Sequence, residues 1–327
     1  MIVFACTETS GIATTASDES TSAQYNSSLD RCGLPQGYTG RIILNSALLG
    51  GRMKFIRRSG AASNTGALAT LYSADGVGRL RYYKTSSSAW QMEYYNGSAW
   101  VKAFDMTYAT NSVVAHEISW TTGTATNKLK YYYQDQFLTE IVLPVNIPAI
   151  TYVDLNVFGG SSAGNIEMWS NIILADLERS LAEVYYETEG PNANGLDLGT
   201  TGTYLDVDEA VNDGYATMVQ LAAAGNRASF RAPARTYRTA ANAGARCLAV
   251  TVAADLRAGE DVTLGPQYAK FYLLLGGVRY YSPSFALSTT GKGYQYSWNT
   301  NPATGLAWDI ALTTDTLFEW GVEAADS

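Results

Sequence analysis

The stretch YQYSWNTNPATGLAWDI, residues 294–310, shows the fold class of the chain most directly. Tyr294, Tyr296 and Trp298 alternate with Gln and Ser, which is the period-two pattern of a half-buried β-strand. The turn-forming run NTNPATG follows, and its Asn-Pro pair disfavours the α region. A second apolar run then contains Trp308. We therefore predict a strand and a polar loop with a buried indole on each side of the loop.

The composition favours an all-β protein. The 327 residues include 23 Tyr and one His, and only 16% are charged. Tyrosine and threonine favour strands, whereas Lys and Glu, which favour surface helices, are scarce. The apolar fraction of 46% is that of a globular chain, and the length suffices for two domains.

Short strand patterns separated by turn signals predict an all-β fold with two tandem, jelly-roll-like β-sandwiches. Hairpin signals occur at Gly50-Gly51, Asp75-Gly76 and Asn96-Gly97. The apolar run Cys247–Val252 predicts a central strand. The predicted divisions are an N-terminal arm and first strand over 1–39, a first sandwich over 40–189, a linker over 190–199 and a second sandwich over 200–327. Residues 177–187 fit either a helix or a strand.

Three stretches carry a resemblance to a known family. They are WNTNPATGLAW (298–308), SNIILAD (170–176) and GPNANG (190–195). In the order in which they occur along the chain, they resemble segments of tailed-bacteriophage virion structural proteins, in which a LamG-like (concanavalin-like) sandwich precedes a second β domain. The resemblance covers most of 80–325 and implies that the first sandwich is LamG-like. It specifies a place on a virion rather than an activity.

Charge and cysteine content exclude several classes of partner. The net charge of −8 argues against binding to nucleic acid, because phosphates need clustered Lys and Arg. We interpret the small basic cluster at 52–58 as a solvated edge strand. No apolar run is long enough to span a membrane. Cys6, Cys32 and Cys247 lack zinc-ligand spacing, and the sequence leaves open whether Cys6 and Cys32 pair.

Residues for catalysis are not arranged in a known pattern. Strand alternation places His116, the one histidine, beside Ile118 and Trp120, which predicts a structural role. The acidic groups Glu183/Glu187/Glu189 and Asp206/Asp208/Glu209 do not reproduce the carboxylate spacing of concanavalin-like glycosidases. The carboxylates of Asp206 and Asp208, with Asp213-Gly214, could supply oxygen ligands for a calcium site, but we interpret this segment as an acidic turn. We expect no enzymatic activity, no cofactor and no metal.

Consecutive tyrosines are the remaining functional signal. Neighbours in a strand point to opposite faces, so one ring of each pair points away from the core. Such rings suit protein interfaces and stacking on sugars. The candidate contacts are Tyr83, Tyr95, Tyr132, Tyr186 and Tyr281.

These features together predict a non-enzymatic virion structural protein, a tail-tip or fibre component that takes part in host attachment. The alternatives are a head decoration or head-fibre protein and a glycan-binding or glycan-cleaving module. We expect other virion proteins as partners, a homo-oligomer such as a trimer, and a glycan or receptor on the host surface. The expected location is the virion, assembled in the host cytoplasm.

Overall fold

A computed structural model describes these residues of the chain: 2–6, 13–14, 25–26, 31–33, 39–58, 65–86, 88–107, 113–122, 127–156, 168–176, 190–207, 217–231, 247–259, 265–289, 292–309 and 318–326. The chain divides into two compact units, and the main boundary falls between residues 187 and 188. Both units are built from antiparallel strands.

The described residues of the first unit form two sheets. Its strands are β1 (Ile2–Cys6), β2 (Ala13–Thr14), β3 (Tyr25–Asn26), β4 (Arg31–Gly33), β5 (Thr39–Leu48), β6 (Gly51–Arg58), β7 (Gly66–Ser73), β8 (Gly78–Ser86), β9 (Ala89–Tyr95), β10 (Trp100–Met106), β11 (Val113–Trp120), β12 (Lys128–Tyr133), β13 (Gln136–Val142), β14 (Ile150–Asn156) and β15 (Met168–Ala175). The eight-stranded sheet has the order β13-β12-β11-β6-β15-β4-β3, with β1 also on β15. The seven-stranded sheet has the order β10-β9-β8-β7-β14-β5-β2.

One hydrophobic core lies between these sheets. The eight-stranded sheet contributes Phe55 and Trp120, and the seven-stranded sheet contributes Leu80, Trp90 and Met92, all of them buried. Aromatic and branched side chains at alternate positions therefore bring the two sheets together face to face. This arrangement confirms the predicted all-β sandwich.

The connection at Gly50-Gly51 differs from the prediction. β5 and β6 follow each other directly but lie in different sheets, so this segment crosses between the two layers rather than closing a hairpin. A Cβ at Gly51 would lie 3.0 Å from both the Ala175 carbonyl oxygen and the Trp120 ring. Glycine is therefore favoured at position 51 by the tight packing where the chain passes from one sheet to the other, and not by a hairpin turn. The hairpins predicted at Asp75-Gly76 and Asn96-Gly97 are confirmed by the pairing of β7 with β8 and of β9 with β10.

The basic cluster at 52–58 lies in a central strand, and its interpretation as a solvated edge strand is wrong. β6 pairs with β11 on one side and with β15 on the other. Arg52 and Lys54 are buried, and their charges are paired with Glu117 at 2.6 Å and with Asp135 at 3.1 Å. Paired charges are tolerated in a buried strand where isolated charges are not.

The first 39 residues contribute more than an arm and one strand. Strands β1 and β4 both pair with β15, β3 pairs with β4, and β2 pairs with β5. The segment therefore adds strands to both sheets.

The described residues of the second unit also form two sheets. Its strands are β16 (Ala193–Leu198), β17 (Arg227–Arg231), β18 (Val250–Leu256), β19 (Tyr268–Leu275), β20 (Val278–Tyr281), β21 (Phe285–Ala286), β22 (Lys292–Trp298) and β23 (Glu319–Ala325), with a short 3-10 helix at Tyr204–Asp206. The larger sheet has the order β16-β17-β23-β19-β20 with β21 on β19, and β18 pairs with β22. Phe271 and Leu273 of the larger sheet share a core with Val252 and Trp298 of the smaller one. This is the second predicted sandwich.

Two predictions for this unit need revision. The run Cys247–Val252 does not form a central strand, because β18 lies in a two-stranded sheet and most of its residues are half-buried. The segment 190–199, predicted as a linker, contains β16, which pairs with β17. Gly195 permits this pairing, since a Cβ there would lie 2.3 Å from the Ser229 Oγ.

The 294–310 stretch forms the predicted strand and loop. Trp298 and Trp308 are both buried, and the Trp308 indole Nε1 donates a hydrogen bond of 2.7 Å to the Trp298 carbonyl oxygen. Asn301 is buried within the loop, where its Oδ1 accepts from the Ala303 N–H at 2.9 Å. The two indoles thus close the base of a loop that Asn301 organises from inside.

Several predictions lie outside the described residues. They are the alternatives for 177–187, the contact at Tyr186, the carboxylates Glu183, Glu187, Glu189, Asp208, Glu209 and Asp213, and the pairing of the Cys6 and Cys32 side chains. Within the part of the chain that the structure describes, no helix has the length and apolar character needed to cross a bilayer.

Candidate functional site

The side of the seven-stranded sheet that points away from the core carries a row of polar residues, one on each of six strands. The row follows from the strand register, in which each residue is paired with the next across neighbouring strands: Arg41, Asp154, Thr70, Arg81, Glu93 and Lys102. The residues next to them along the strands, such as Val153 and Met92, are in the core. Because side chains alternate between faces, the row faces outward. We call this row the polar row and its side of the sheet the outer face.

Ion pairs hold the polar row in a fixed arrangement. Arg41 binds Asp154 through two hydrogen bonds, of 2.6 Å from Nε and 2.7 Å from Nη2. Arg81 donates to Glu93, which also accepts from Gln91. The hydrogen bond to Asp154 is the main reason that the pKa of Arg41 lies above its usual value. Bidentate guanidinium–carboxylate contacts fix both geometry and charge.

Aromatic rings flank the row on the β14 and β7 side. Tyr152 and Tyr72 are stacked with their ring centroids 4.6 Å apart and their planes inclined by 9°. The Arg41 guanidinium lies 4.4 Å from the Tyr152 centroid. Burial raises the pKa of Tyr72, so this hydroxyl remains a hydrogen-bond donor at neutral pH. We call Arg41, Tyr152 and Tyr72 the Arg41 cluster.

A second cluster lies on β8 to β10. The Arg81 guanidinium is 4.2 Å from the Trp100 ring centroid and 4.4 Å from that of Tyr83. Tyr95 pairs with Trp100 across the strands, and their ring centroids are 5.6 Å apart. Trp100 lies over Gly78, where a Cβ would be 3.1 Å from the indole Cζ2. We call Arg81, Trp100, Tyr83 and Tyr95 the Arg81 cluster.

The five tyrosines selected from the sequence do not form one site. Tyr83 and Tyr95 belong to the Arg81 cluster. Tyr132 lies in the eight-stranded sheet, where its ring contacts Phe137 at 5.6 Å. Tyr281 is in the second unit, and its hydroxyl donates to Glu323 at 2.7 Å. Trp100 was not among the contacts predicted from the sequence, although its pairing with Tyr95 across the β9–β10 hairpin places both rings on the same face.

The acidic and histidine candidates have structural roles where they are described. His116 is fully buried, and its Nδ1 lies 3.0 Å from the Tyr131 hydroxyl. Asp206 caps the short 3-10 helix by accepting from the Thr203 N–H at 2.7 Å. Within the described ranges, no group of three His, Cys, Asp or Glu side chains is arranged to hold a metal ion.

Comparisons with known proteins give a limited result. No protein-family model matches the sequence, and no curated protein matches it. One similar solved structure is the receptor-binding domain of botulinum neurotoxin D, with 8% identity and a TM-score of 0.38, covering 46% of this chain and 41% of that one. The chain thus spans less than half of that toxin domain.

Two smaller solved proteins are also similar. Galectin LEC-6 from Caenorhabditis elegans has 12% identity and a TM-score of 0.33, over 43% of this chain and 94% of the galectin. The carbohydrate-binding module CBM66 from Bacillus subtilis has 9% identity and a TM-score of 0.33, over 51% of this chain and 96% of the module.

Proposed function

We propose that the chain is a non-enzymatic structural protein of a tailed-bacteriophage particle and that its first sandwich binds carbohydrate on the host surface through the outer face. The sequence resemblance supports the virion role, at the tail tip or in a fibre. The outer face supports the binding role. Its two clusters combine aromatic rings with fixed hydrogen-bonding groups, which is the combination that sugar recognition needs.

The Arg81 cluster is the observation on which the binding role rests. Trp100 is held between the backbone at Gly78 and the Arg81 guanidinium, so its position is set before a ligand arrives. A rigid ring loses little conformational entropy on binding. The carboxylate of Glu93 accepts from Arg81 and so fixes the guanidinium beside the indole.

Binding can be tested with purified protein on arrays of bacterial surface polysaccharides. We expect the wild-type chain to bind a subset and the variant Trp100→Ala to lose at least about tenfold in affinity, as for an aromatic hot spot. The matched control is Phe137→Ala, because Phe137 is a 55% exposed aromatic residue on β13 of the other sheet. Equal losses in both variants would contradict a site on the outer face.

The absence of catalysis is a separate part of the proposal. Asp154 and Glu93, the carboxylates of the polar row, each bind a guanidinium, whereas glycosidases use a pair of carboxyl groups that flank the glycosidic bond and act on it directly. We expect no new reducing ends when a bound polysaccharide is incubated with the protein. Release of oligosaccharides that stops in an Asp154→Asn or Glu93→Gln variant would show a hydrolase.

Imaging tests where on the phage particle this chain is located. Cryo-electron microscopy of particles that carry this chain is expected to show a few copies at the tail tip. Hundreds of copies on the shell would make it a head decoration protein instead, and the outer face would then be tested as a capsid-binding surface.

A further inference from the structure

The polar row defines a direction on the outer face. It crosses β5, β14, β7, β8, β9 and β10 in turn, at right angles to the strands. Five strand spacings of about 4.8 Å give the row a length of about 24 Å. This length exceeds what one sugar ring covers, so the row offers contacts to a chain of several sugars.

The charges of the outer face cancel in pairs. Besides the Arg41–Asp154 and Arg81–Glu93 pairs, Arg79 binds Asp75. Lys102 binds Asp105 at 2.7 Å. An acidic sugar would have to compete with a carboxylate for each of these cations. The net charge of −8 on the whole chain adds a long-range repulsion to any anionic ligand.

The carboxylates of the row are fixed as acceptors rather than left mobile. The side chains of Asp154 and Glu93 are only 9% and 8% exposed, whereas Arg41 is 46% exposed. Both oxygens of each carboxylate already accept hydrogen bonds, those of Asp154 from Arg41 and those of Glu93 from Arg81 and Gln91. The exposed hydrogen-bond donors of the row are therefore Arg41 and Lys102, at its two ends. A sugar hydroxyl can accept from such a donor without adding charge to the face.

The rings occur at both halves of the row. Tyr152 and Tyr72 lie beside its β14–β7 half, and Trp100 and Tyr83 lie beside its β8–β10 half. Two aromatic clusters along one line fit a ligand that continues from one to the other. A single terminal sugar would use one cluster only.

We propose that the outer face binds an extended, uncharged polysaccharide chain that lies along the polar row and crosses the strands. The Arg41 cluster and the Arg81 cluster hold different sugars of the same chain. This inference rests on the proposed carbohydrate-binding function and specifies its ligand class and orientation.

The first test compares ligand charge. The probes are bacterial polysaccharides made of neutral hexoses and others that contain uronic or sialic acid, at matched chain length. We expect binding of neutral chains. Binding of acidic chains alone, lost in Trp100→Ala, would overturn this inference and leave the proposed function standing. Binding of no polysaccharide while a host surface protein is bound would overturn both.

The second test examines the direction and length of the site. By calorimetry with neutral oligosaccharides of one to six sugars, we expect affinity to rise up to four or five sugars. Arg41→Ala and Lys102→Ala, at opposite ends of the row, should each weaken binding of the hexasaccharide about tenfold, the loss expected for one charge-assisted hydrogen bond. Thr139→Ala on β13 serves as the control, and circular dichroism checks that each variant is folded.

Two results of this second test would contradict the inference. One is an affinity that is already maximal with a monosaccharide. The other is a loss in only one of the two end variants, since a ligand confined to one cluster would give that pattern. Both results would still be compatible with carbohydrate binding, so they separate the inference from the proposed function.

Discussion

The ring of Tyr272 lies directly over Gly321 in the second unit. A Cβ at Gly321 would be 2.6 Å from both the Tyr272 Cζ and its hydroxyl oxygen. The ring crosses β23 at this point, and the hydroxyl donates a 2.7 Å hydrogen bond to Asp197. Arg279 reaches the same carboxylate from β20, at 2.7 Å. Side chains from β16, β19 and β20 therefore tie the larger sheet together across its width.

We expect Gly321→Ala to destabilise the second unit by about 1–3 kcal/mol, the cost of inserting a methyl group into a packed site. The reason is a double overlap: the added Cβ would lie 2.3 Å from the Ala228 carbonyl oxygen and 2.6 Å from the Tyr272 ring, which would have to leave its position and lose its bond to Asp197. Thermal unfolding measures the effect. The control is Gly259→Ala, because a Cβ at Gly259 meets nothing within 4 Å. Equal melting temperatures for the two variants would show that both the ring and the backbone at Ala228 can give way to the methyl group.

The same cluster predicts a dependence on pH. Burial raises the pKa of Asp197, but the hydrogen bonds from Arg279 and Tyr272 outweigh it and hold the pKa below its usual value. The carboxylate therefore stabilises the fold above about pH 4, the ordinary pKa of Asp, and this contribution is lost as the pH falls through the lower folded-state value.

For Asp197→Asn we expect lower stability at pH 7 and a smaller further loss on acidification than in the wild type. Unfolding midpoints between pH 7 and pH 2 measure both quantities. Asp326→Asn, at an exposed position near the C-terminus, is the matched control. An acid-induced loss of the same size in Asp197→Asn and wild type would mean that other groups dominate.

The buried pair Arg52–Glu117 gives a prediction for the first unit. The two side chains are 7% and 2% exposed. We expect Glu117→Gln to cost about 3–5 kcal/mol, because it removes the charge from one partner of a buried, hydrogen-bonded ion pair. Asp105→Asn breaks the exposed pair with Lys102 and should cost at most about 1 kcal/mol. Chemical unfolding of the two variants compares them, and a small effect of both would indicate that water reaches Arg52.

Local turn chemistry made much of the strand pattern predictable. Gly76 adopts a positive φ of 76° and Gly97 one of 101°, so the glycine signals at these two hairpins have a direct conformational cause. Gln134 and Asp135 also have positive φ, of 46° and 65°. A rule that requires glycine at these two positions would therefore fail to predict the turn. The salt bridge from Lys54 to Asp135, a contact distant in sequence, accompanies the unusual conformation.

The choice of sheet for each strand was not predictable from local signals. β5 and β6 are separated only by Leu49 and Gly50, as in a two-residue hairpin, yet they join different layers. That choice depends on which distant strands, here β14 and β15, pair with them. For the same reason the candidate site was found only in part. Parity along one strand indicates that Tyr83 points outward, but only the register of six strands brings Arg41 and Lys102 into one row.

The loop closed by Trp298 and Trp308 is the last feature that can be tested by mutation. The Trp308 indole N–H is buried and bonded to the Trp298 carbonyl oxygen. We expect Trp308→Phe to cost about 1–3 kcal/mol, because the aromatic contact is partly kept while the carbonyl loses its donor. Thermal unfolding of the second unit measures this cost. Leu306→Ala, at a 69% exposed position in the same loop, is the control and should change stability little. If Trp308→Phe also melts like the wild type, the loop is held by Asn301 and by packing rather than by the hydrogen bond between the two tryptophans.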